Sequence, residues 1–208
     1  PNPDYPGIAR FFRQLAVPDA LHVHFTGAGG NIGAGKYNDG SHENRGILAG
    51  RLADGMKRAW EATKREPIEA KDVNWEFVPV SLAPSDAIRK LRSTINMKDT
   101  VQVRTNARKL AWLQSFEAGR KIDVSCLSLG SASILHMPGE LFVEYQLAAK
   151  AMRPDRFVVM AAYGDDEPAY IGTAVAYEEG GYEAGASNVT PEAEGILMAA
   201  IKKLLQVK

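Results

Sequence analysis

The chain has 208 residues, of which 45% are hydrophobic and 24% are charged, a composition typical of globular proteins. Its 25 basic and 25 acidic residues balance, and no run of Lys or Arg alternates with aromatic residues, which argues against a nucleic-acid partner. The apolar stretches have the length of strands and fall short of the roughly 20 residues that a transmembrane segment needs. The single cysteine, Cys126, excludes internal disulfides and a thiolate metal cluster.

Hydrophobic periodicity and turn residues predict helices and strands along the whole chain. The predicted elements are a helix over residues 6–16, a strand over 21–25, a long helix through 47–60, a strand over 73–82, a helix from 84–86 to 95, a helix over 100–118, strands over 122–129 and 132–136, a helix over 140–152, a strand over 157–162, a loop over 163–190 and a helix over 191–205. Ser41 or Asn44 is the expected cap of the long helix. Pro79 predicts an edge position for its strand, and Gly130 predicts a hairpin turn.

These elements interleave without strict alternation, which predicts an α/β fold with a mixed β-sheet flanked by helices. Neither an internal repeat nor a low-complexity linker divides the sequence. We therefore expect residues 1–208 to form a single domain, or the C-terminal portion of a larger catalytic domain, without an internal boundary.

A glycine-rich segment follows the second predicted element. Residues 26–33 are close to the dinucleotide fingerprint of short-chain dehydrogenases, which requires a helix to begin at the last glycines. Here the chain continues with turn residues, and none of the seven tyrosines has the Lys four residues later that this class needs. NAD(P) binding therefore stays only an alternative. Gly30 to Lys36 also has the spacing of a phosphate loop, but Tyr37 stands where Ser or Thr would hold magnesium.

The segment Pro138-Gly139-Glu140 carries a candidate functional carboxylate. The Pro-Gly pair ends the preceding strand and predicts that Glu140 lies in the first turn of the helix over 140–152. The helix dipole favours an ionised carboxylate at that position. Such a group can bind a metal or accept a proton, and it can equally be an ordinary helix cap.

Three motifs together resemble a known family. Pro138-Gly139-Glu140, Tyr170-Ile171-Gly172-Thr173 and Tyr182-Glu183 are similar, in order and spacing, to the C-terminal half of the catalytic domain of neutral/alkaline (non-lysosomal) ceramidases. The resemblance implies a zinc-dependent hydrolase that cleaves an amide (N-acyl) bond. In particular, it implies that Glu140 and Tyr170 bind the zinc and that Tyr182 donates to the oxyanion of the amide under attack.

The resemblance also implies what this chain lacks. In the family a preceding segment supplies two zinc-binding histidines, so we expect a missing N-terminal segment of the same protein to complete the site. His22 and His24, two residues apart in a predicted strand, are another pair that could chelate a metal. A small-molecule or lipid amide is the implied substrate. Because bacterial members are typically exported, a periplasmic or extracellular location is the implied one.

The chain departs from the family at the nucleophile. The family has Gly-Asp-Val-Ser-Pro, with Ser as the nucleophile, where this chain has Gly30-Asn31-Ile32-Gly33-Ala34. Gly33 thus replaces the Ser, and Asn31 replaces the Asp. Backbone amides of this loop could still hold an oxyanion, and metal-activated water could attack the amide directly. A non-catalytic metal-binding homologue is the alternative that this replacement leaves open.

Overall fold

The computed structural model describes residues 2–36, 38–164 and 168–207. They form two compact units, one made of residues up to Phe25 together with Gly33–Pro67, the other made of Thr26–Ile32 with the residues from Ile68 onward. The chain therefore passes from one unit to the other within the glycine-rich segment. The single domain expected from the sequence stays a prediction.

The smaller unit contains two helices in contact, α1 (Asp4–Ala16) and α2 (Glu43–Ala62). Both helices were predicted, but the expected caps of α2 are wrong: its N-cap residue is His42, without a side-chain cap. Asp39 instead accepts hydrogen bonds from the Ser41 backbone N–H and the Asn44 amide. The predicted strand over residues 21–25 is also wrong. These residues are largely exposed and pair with no other strand, because no strand is found in the described part of this unit.

The larger unit contains the sheets. Its elements in chain order are β1 (Val73–Val80), α3 (Asp86–Arg89), α4 (Leu91–Thr94), α5 (Thr100–Glu117), β2 (Ile122–Leu129), β3 (Ala132–Pro138), β4 (Glu140–Leu141), α6 (Val143–Met152), β5 (Phe157–Gly164), β6 (Tyr170–Ile171), α7 (Ala174–Glu179), α8 (Tyr182–Ala186) and α9 (Ala193–Leu204). Four strands form one sheet in the order β1-β2-β3-β5, and β4 pairs with β6. The first three strands are antiparallel, whereas β3 and β5 are parallel. The predicted mixed sheet with flanking helices is confirmed.

Several local predictions hold within this sheet. β1 is an edge strand of the sheet, so Pro79, which has no backbone N–H, leaves the hydrogen bonds between the inner strands intact. β2 and β3 form the expected hairpin, and Gly130 has the left-handed φ of 55° that its turn requires. α5 spans the predicted segment, and the Asp99 side chain caps it by accepting from two backbone N–H groups.

One face of the sheet belongs to the hydrophobic core. Alternate strand residues such as Val124, Leu135 and Met160 are buried together with Tyr145 of α6 and Leu197 of α9. Residues of the opposite parity lie on the other face, and several are exposed: Val73, Trp75, Phe77 and Phe157. None of the described helices is long and apolar enough to cross a membrane.

The structure corrects four further predictions in the larger unit. The helix predicted over 140–152 begins at Val143, because Glu140 and Phe142 donate their backbone N–H groups to Ala169 and Ile171. Glu140 therefore lies in a strand and not in a helical turn. The loop predicted over 163–190 contains β6, α7 and α8; the helix predicted from 84–86 to 95 is divided into α3 and α4; and the last helix begins at Ala193 rather than at residue 191.

Candidate functional site

The candidate site lies at the carboxyl end of the two parallel strands. β3 and β5 end at the same edge of the sheet, and β4 follows β3 after Gly139. In the short β4–β6 pair, Glu140 and Tyr170 are direct register partners. In open α/β sheets, ligands bind outside the carboxyl ends of the strands, so this edge is where a functional carboxylate is expected.

The turn between β3 and β4 depends on a glycine. Gly139 has φ 62°, and a Cβ added there would lie 2.7 Å from the carbonyl oxygen of Ala169. Ala169 itself has φ 54°, although it is not a glycine. These two left-handed residues bring the β4 and β6 segments together. The Pro-Gly-Glu turn thus positions Glu140 through backbone pairing and not through a helix terminus.

The negative charge of Glu140 acts on two nearby phenols. It is the main cause that raises the pKa of Tyr170, and desolvation of the phenol adds to it. Burial is the main cause that raises the pKa of Tyr163, followed by the charge of Glu140. Both phenols therefore remain protonated around neutral pH.

Tyr182 lies next to this cluster at the start of α8. Its ring meets the ring of Tyr170 edge-on, with 5.8 Å between the ring centres and 73° between the planes. The Tyr182 side chain is 73% exposed, so a bound molecule could reach it. The structure thus brings Glu140, Tyr170 and Tyr182 together, and their roles stay predictions.

Gly30 and Asn31 of the glycine-rich segment also lie beside Glu140. The backbone N–H of Gly30 donates to the Leu141 carbonyl at 2.8 Å, and a Cβ on Gly30 would collide with the Glu140 carbonyl oxygen. Asn31 accepts from the Val143 backbone N–H at 2.8 Å and donates to the Glu144 carboxylate at 2.9 Å. Asn31 therefore caps the first turn of α6 from a distant part of the chain.

Gly33 differs from these two residues. It belongs to the smaller unit, and a Cβ built on it would meet no atom within 4 Å. No helix begins at the glycines: among the described residues from Thr26 to His42, none is helical, and α2 begins only at Glu43. The feature that a dinucleotide site needs is therefore missing there. Tyr37, on which the phosphate-loop comparison depends, lies outside the described residues.

The residues present fit part of a zinc site. Glu140 and Tyr170 offer two oxygen ligands on neighbouring strands, whereas zinc usually takes four ligands. Within residues 2–36, 38–164 and 168–207, no group of three or more His, Cys, Asp or Glu side chains could hold a metal. The donor chemistry also requires a change at Tyr170. The charge of Glu140 raises the pKa of this phenol, so a bound cation would have to lower that pKa before the oxygen could become a ligand.

Sequence reasoning missed Tyr163, which it assigned to a loop. Tyr163 belongs to β5 and has φ 60°, and the charge of Glu140 helps to raise the pKa of its phenol. A bulky residue with a left-handed backbone is rare and marks local strain. The one signal in the sequence is its place at the carboxyl end of a buried strand, where α/β sheets present functional side chains.

Comparison with known proteins identifies similar folds. No family model and no curated protein sequence matches the chain. The crystal structure of neutral ceramidase from Pseudomonas aeruginosa matches 99% of this chain, with 16% identity and a TM-score of 0.61. A ceramidase complexed with C2 matches the same share, with 14% identity and a TM-score of 0.62. The chain spans 40% and 42% of those two proteins, and it has the fold of that part of a neutral ceramidase.

Proposed function

We propose that this chain is part of a zinc-dependent hydrolase of the neutral ceramidase type, which cleaves an amide (N-acyl) bond. The observation that carries the proposal is the pairing of Glu140 with Tyr170 at the carboxyl edge of the parallel strands. A fold similar to two ceramidases over 99% of the chain supports it. The proposed substrate is a lipid amide, and the proposed location is outside the cytoplasm.

Each residue of the cluster has a distinct role in this proposal. The Glu140 carboxylate and the Tyr170 phenol oxygen would hold the metal, together with histidines from a segment outside this chain. When bound, zinc lowers the pKa of a water molecule and polarises a carbonyl group. Tyr182 would donate a hydrogen bond to the carbonyl oxygen that becomes negative during attack.

In this proposal the glycine-rich segment contributes backbone groups to the site and no nucleophilic side chain. Gly30 lies against the backbone of Glu140, where no side chain fits, and Gly33 has no hydroxyl with which to form an acyl-enzyme. Direct attack by water is therefore the route that we propose. The same lack of a hydroxyl favours the second candidate, a homologue that binds metal without turnover.

Metal content is the first test, measured by elemental analysis on the longest native form of the protein. We expect stoichiometric zinc in the wild type and its loss in Glu140→Ala and Tyr170→Phe. Glu179→Ala and Tyr5→Phe are matched controls that change the same residue types outside the cluster and should keep the zinc. A well-folded wild type that binds no zinc would overturn the proposal.

Activity separates the two candidates once zinc is found. Hydrolysis of an N-acyl lipid amide should fall about 10²–10³-fold in Tyr182→Phe, because one oxyanion donor is lost. Zinc content should stay unchanged in that variant. Zinc without turnover in the wild type would favour the non-catalytic homologue, and NAD(P) binding without metal would favour the dinucleotide alternative.

A further inference from the structure

We propose that Tyr145 is a positioning residue for the two proposed zinc ligands, and that its buried hydroxyl holds the backbone of Tyr170 against that of Glu140. This inference rests on the proposed function. It concerns a residue of α6 that lies outside the three sequence motifs. Three features of Tyr145 lead to it: its place in the chain, the hydrogen bond of its hydroxyl, and its burial.

The strands that carry the two proposed ligands are very short. Glu140 is the register partner of Tyr170, and both β4 and β6 contain two residues. At the end of this pair, the Phe142 backbone N–H donates to the Ile171 carbonyl at 3.1 Å. Strands in globular proteins usually contain about 5–6 residues. A pair this short has few ladder bonds, so its register depends on bonds from outside the strands.

Tyr145 supplies such a bond directly beyond the pair. Its hydroxyl donates to the Gly172 carbonyl at 2.9 Å. Gly172 is the residue that follows β6, and Tyr145 lies in the first turn of α6, which begins soon after β4. The hydrogen bond therefore joins the segment that carries Glu140 to the segment that carries Tyr170. It also continues the row of contacts that the Phe142 N–H begins.

This hydrogen bond is shielded from water. Tyr145 is 1% exposed, and Gly172 is buried as well. A hydrogen bond in such surroundings is stronger than one at the surface, because the local dielectric constant is low. If the hydroxyl were removed, the Gly172 carbonyl would be left buried without this donor, and water could not easily replace it.

Packing alone does not require a hydroxyl at this position. Tyr145 belongs to the hydrophobic core, where the ring of a phenylalanine would fill almost the same space. The polar atom adds one specific partner, and that partner is a backbone carbonyl next to the strand of Tyr170. A buried polar bond that fixes one arrangement of the backbone is what a precise binding site needs.

The consequence for metal binding follows from this placement. A metal is bound tightly when its ligands are already held close to the geometry that it requires. Loss of a hydrogen bond behind a ligand typically weakens metal binding about 10–100-fold. Tyr145 acts on the backbone after β6 and not on the Tyr170 phenol itself. We therefore expect an effect near the lower end of that range.

The test measures zinc affinity by competition with a chromogenic chelator, on the longest native form of the protein. We expect Tyr145→Phe to bind zinc about 10-fold more weakly than the wild type, while still binding one zinc at saturation. Tyr177→Phe is the matched control. It also removes a phenol hydroxyl with a hydrogen bond, here to Ser187 at 2.8 Å, in the segment that follows β6. It should bind zinc with the affinity of the wild type.

A second measurement needs no metal. Exchange of the Glu140 and Phe142 backbone amide hydrogens for deuterium reports opening of the β4–β6 pair, because both amides donate across it. In the metal-free protein we expect both amides to exchange about 10-fold faster in Tyr145→Phe than in the wild type. Tyr177→Phe should leave their exchange unchanged, although both substitutions lower the denaturant midpoint of unfolding.

The possible outcomes are distinct. If the wild type binds zinc and Tyr145→Phe binds it equally well, the positioning role is overturned and the proposed function stands. The role is likewise overturned if Tyr177→Phe weakens zinc binding as much, because the effect then follows from lost stability. Unchanged amide exchange in Tyr145→Phe would overturn it too. If the wild type binds no zinc, the proposed function fails, and this inference fails with it.

Discussion

The four-stranded sheet and its carboxyl edge differ in the backbone conformations of their residues. In the sheet, β2, β3 and β5 pair in regular register as far as His136, and alternate residues are buried in the core. At the edge, three residues close together in space have left-handed backbones: Gly139, Tyr163 and Ala169. Only the first is a glycine. The sheet is thus made of favourable conformations, and the edge is made of unfavourable ones that the sheet holds in place.

This difference indicates which part of the molecule stabilises the fold and which part lowers its stability. Regular strands with buried Leu, Val and Met contribute free energy through burial of apolar surface. A Tyr or Ala with a left-handed backbone lowers the free energy of unfolding. The residue keeps this conformation because the surrounding hydrogen bonds hold its backbone in place. Natural proteins keep such residues where function opposes stability, and the phenol–carboxylate cluster lies at this edge.

The largest effect should follow from removal of a core side chain of the sheet. Leu135 in β3 is fully buried, whereas Phe157 in the adjacent β5 is 67% exposed. Leu135→Ala should lower the free energy of unfolding by about 2–5 kcal/mol, because it leaves a cavity. Phe157→Ala should change it by about 1 kcal/mol or less, since little apolar surface is uncovered. Urea unfolding of the metal-free protein measures both values, and equal losses would contradict the difference between the two faces.

A second prediction compares a glycine at the carboxyl edge with the one in the β2–β3 turn. Gly139 and Gly130 have similar left-handed φ values, 62° and 55°. Alanine should cost about 1–2 kcal/mol at either position, because of the backbone conformation alone. At Gly139 the new Cβ would also lie 2.7 Å from both the Ala169 oxygen and Pro168 Cγ, whereas Gly130 has nothing within 4 Å.

Gly139→Ala should therefore destabilise the protein by about 1–3 kcal/mol more than Gly130→Ala, as overpacking typically does. The same urea unfolding experiment gives both numbers. Equal losses in the free energy of unfolding for the two variants would mean that the β4 and β6 segments can move apart without loss of stability. Their close approach at Gly139 would then not contribute to the stability of the protein.

The regular part of the fold was predictable because its signals are local. Alternating apolar residues and a glycine turn identified the hairpin of β2 and β3, and helical spacing identified α5. The failures concern structure that depends on distant segments. Residues 21–25 alternate like a strand but have no partner, and the two-residue strands β4 and β6 are too short for any periodicity to reveal them.

For the candidate site, the sequence motifs named residues that lie together, but the way in which the backbone holds them was not predictable. The motifs named Glu140, Tyr170 and Tyr182, and the structure brings them together. The physical reason first given for Glu140 was wrong, because the residue lies in a strand and not at a helix start. Tyr163 was missed, since nothing in its neighbours indicates a left-handed tyrosine beside that carboxylate. Such a conformation is held by hydrogen bonds that Tyr163 and Ala162 donate to the carbonyl groups of Gly139 and Thr26, which a local pattern does not contain.

The smallest predicted effect concerns the phenols of the edge at alkaline pH. Glu140 raises the pKa of Tyr170 mainly through its charge, and it adds to the effect of burial on the pKa of Tyr163. Because these pKa values lie above the value of about 10 in the unfolded chain, the stability they contribute is fully present below that pH. It is lost as the pH rises through the values of the folded protein.

Glu140→Gln removes the negative charge and keeps the size of the side chain, so these two phenols should ionise at lower pH in the variant. An ultraviolet titration of tyrosinate in the metal-free protein measures this shift, and Glu179→Gln is the matched control. The pKa of Tyr177 is raised mainly by burial, so its ionisation should not respond to the change at Glu140. Identical titration curves for wild type and Glu140→Gln would mean that the carboxylate is not beside the phenols in solution. A shift in Glu140→Gln that is absent from Glu179→Gln would instead show that the charge of Glu140 acts directly on these phenols. A substitution in the sheet would not reproduce that shift, because it leaves the charge in place.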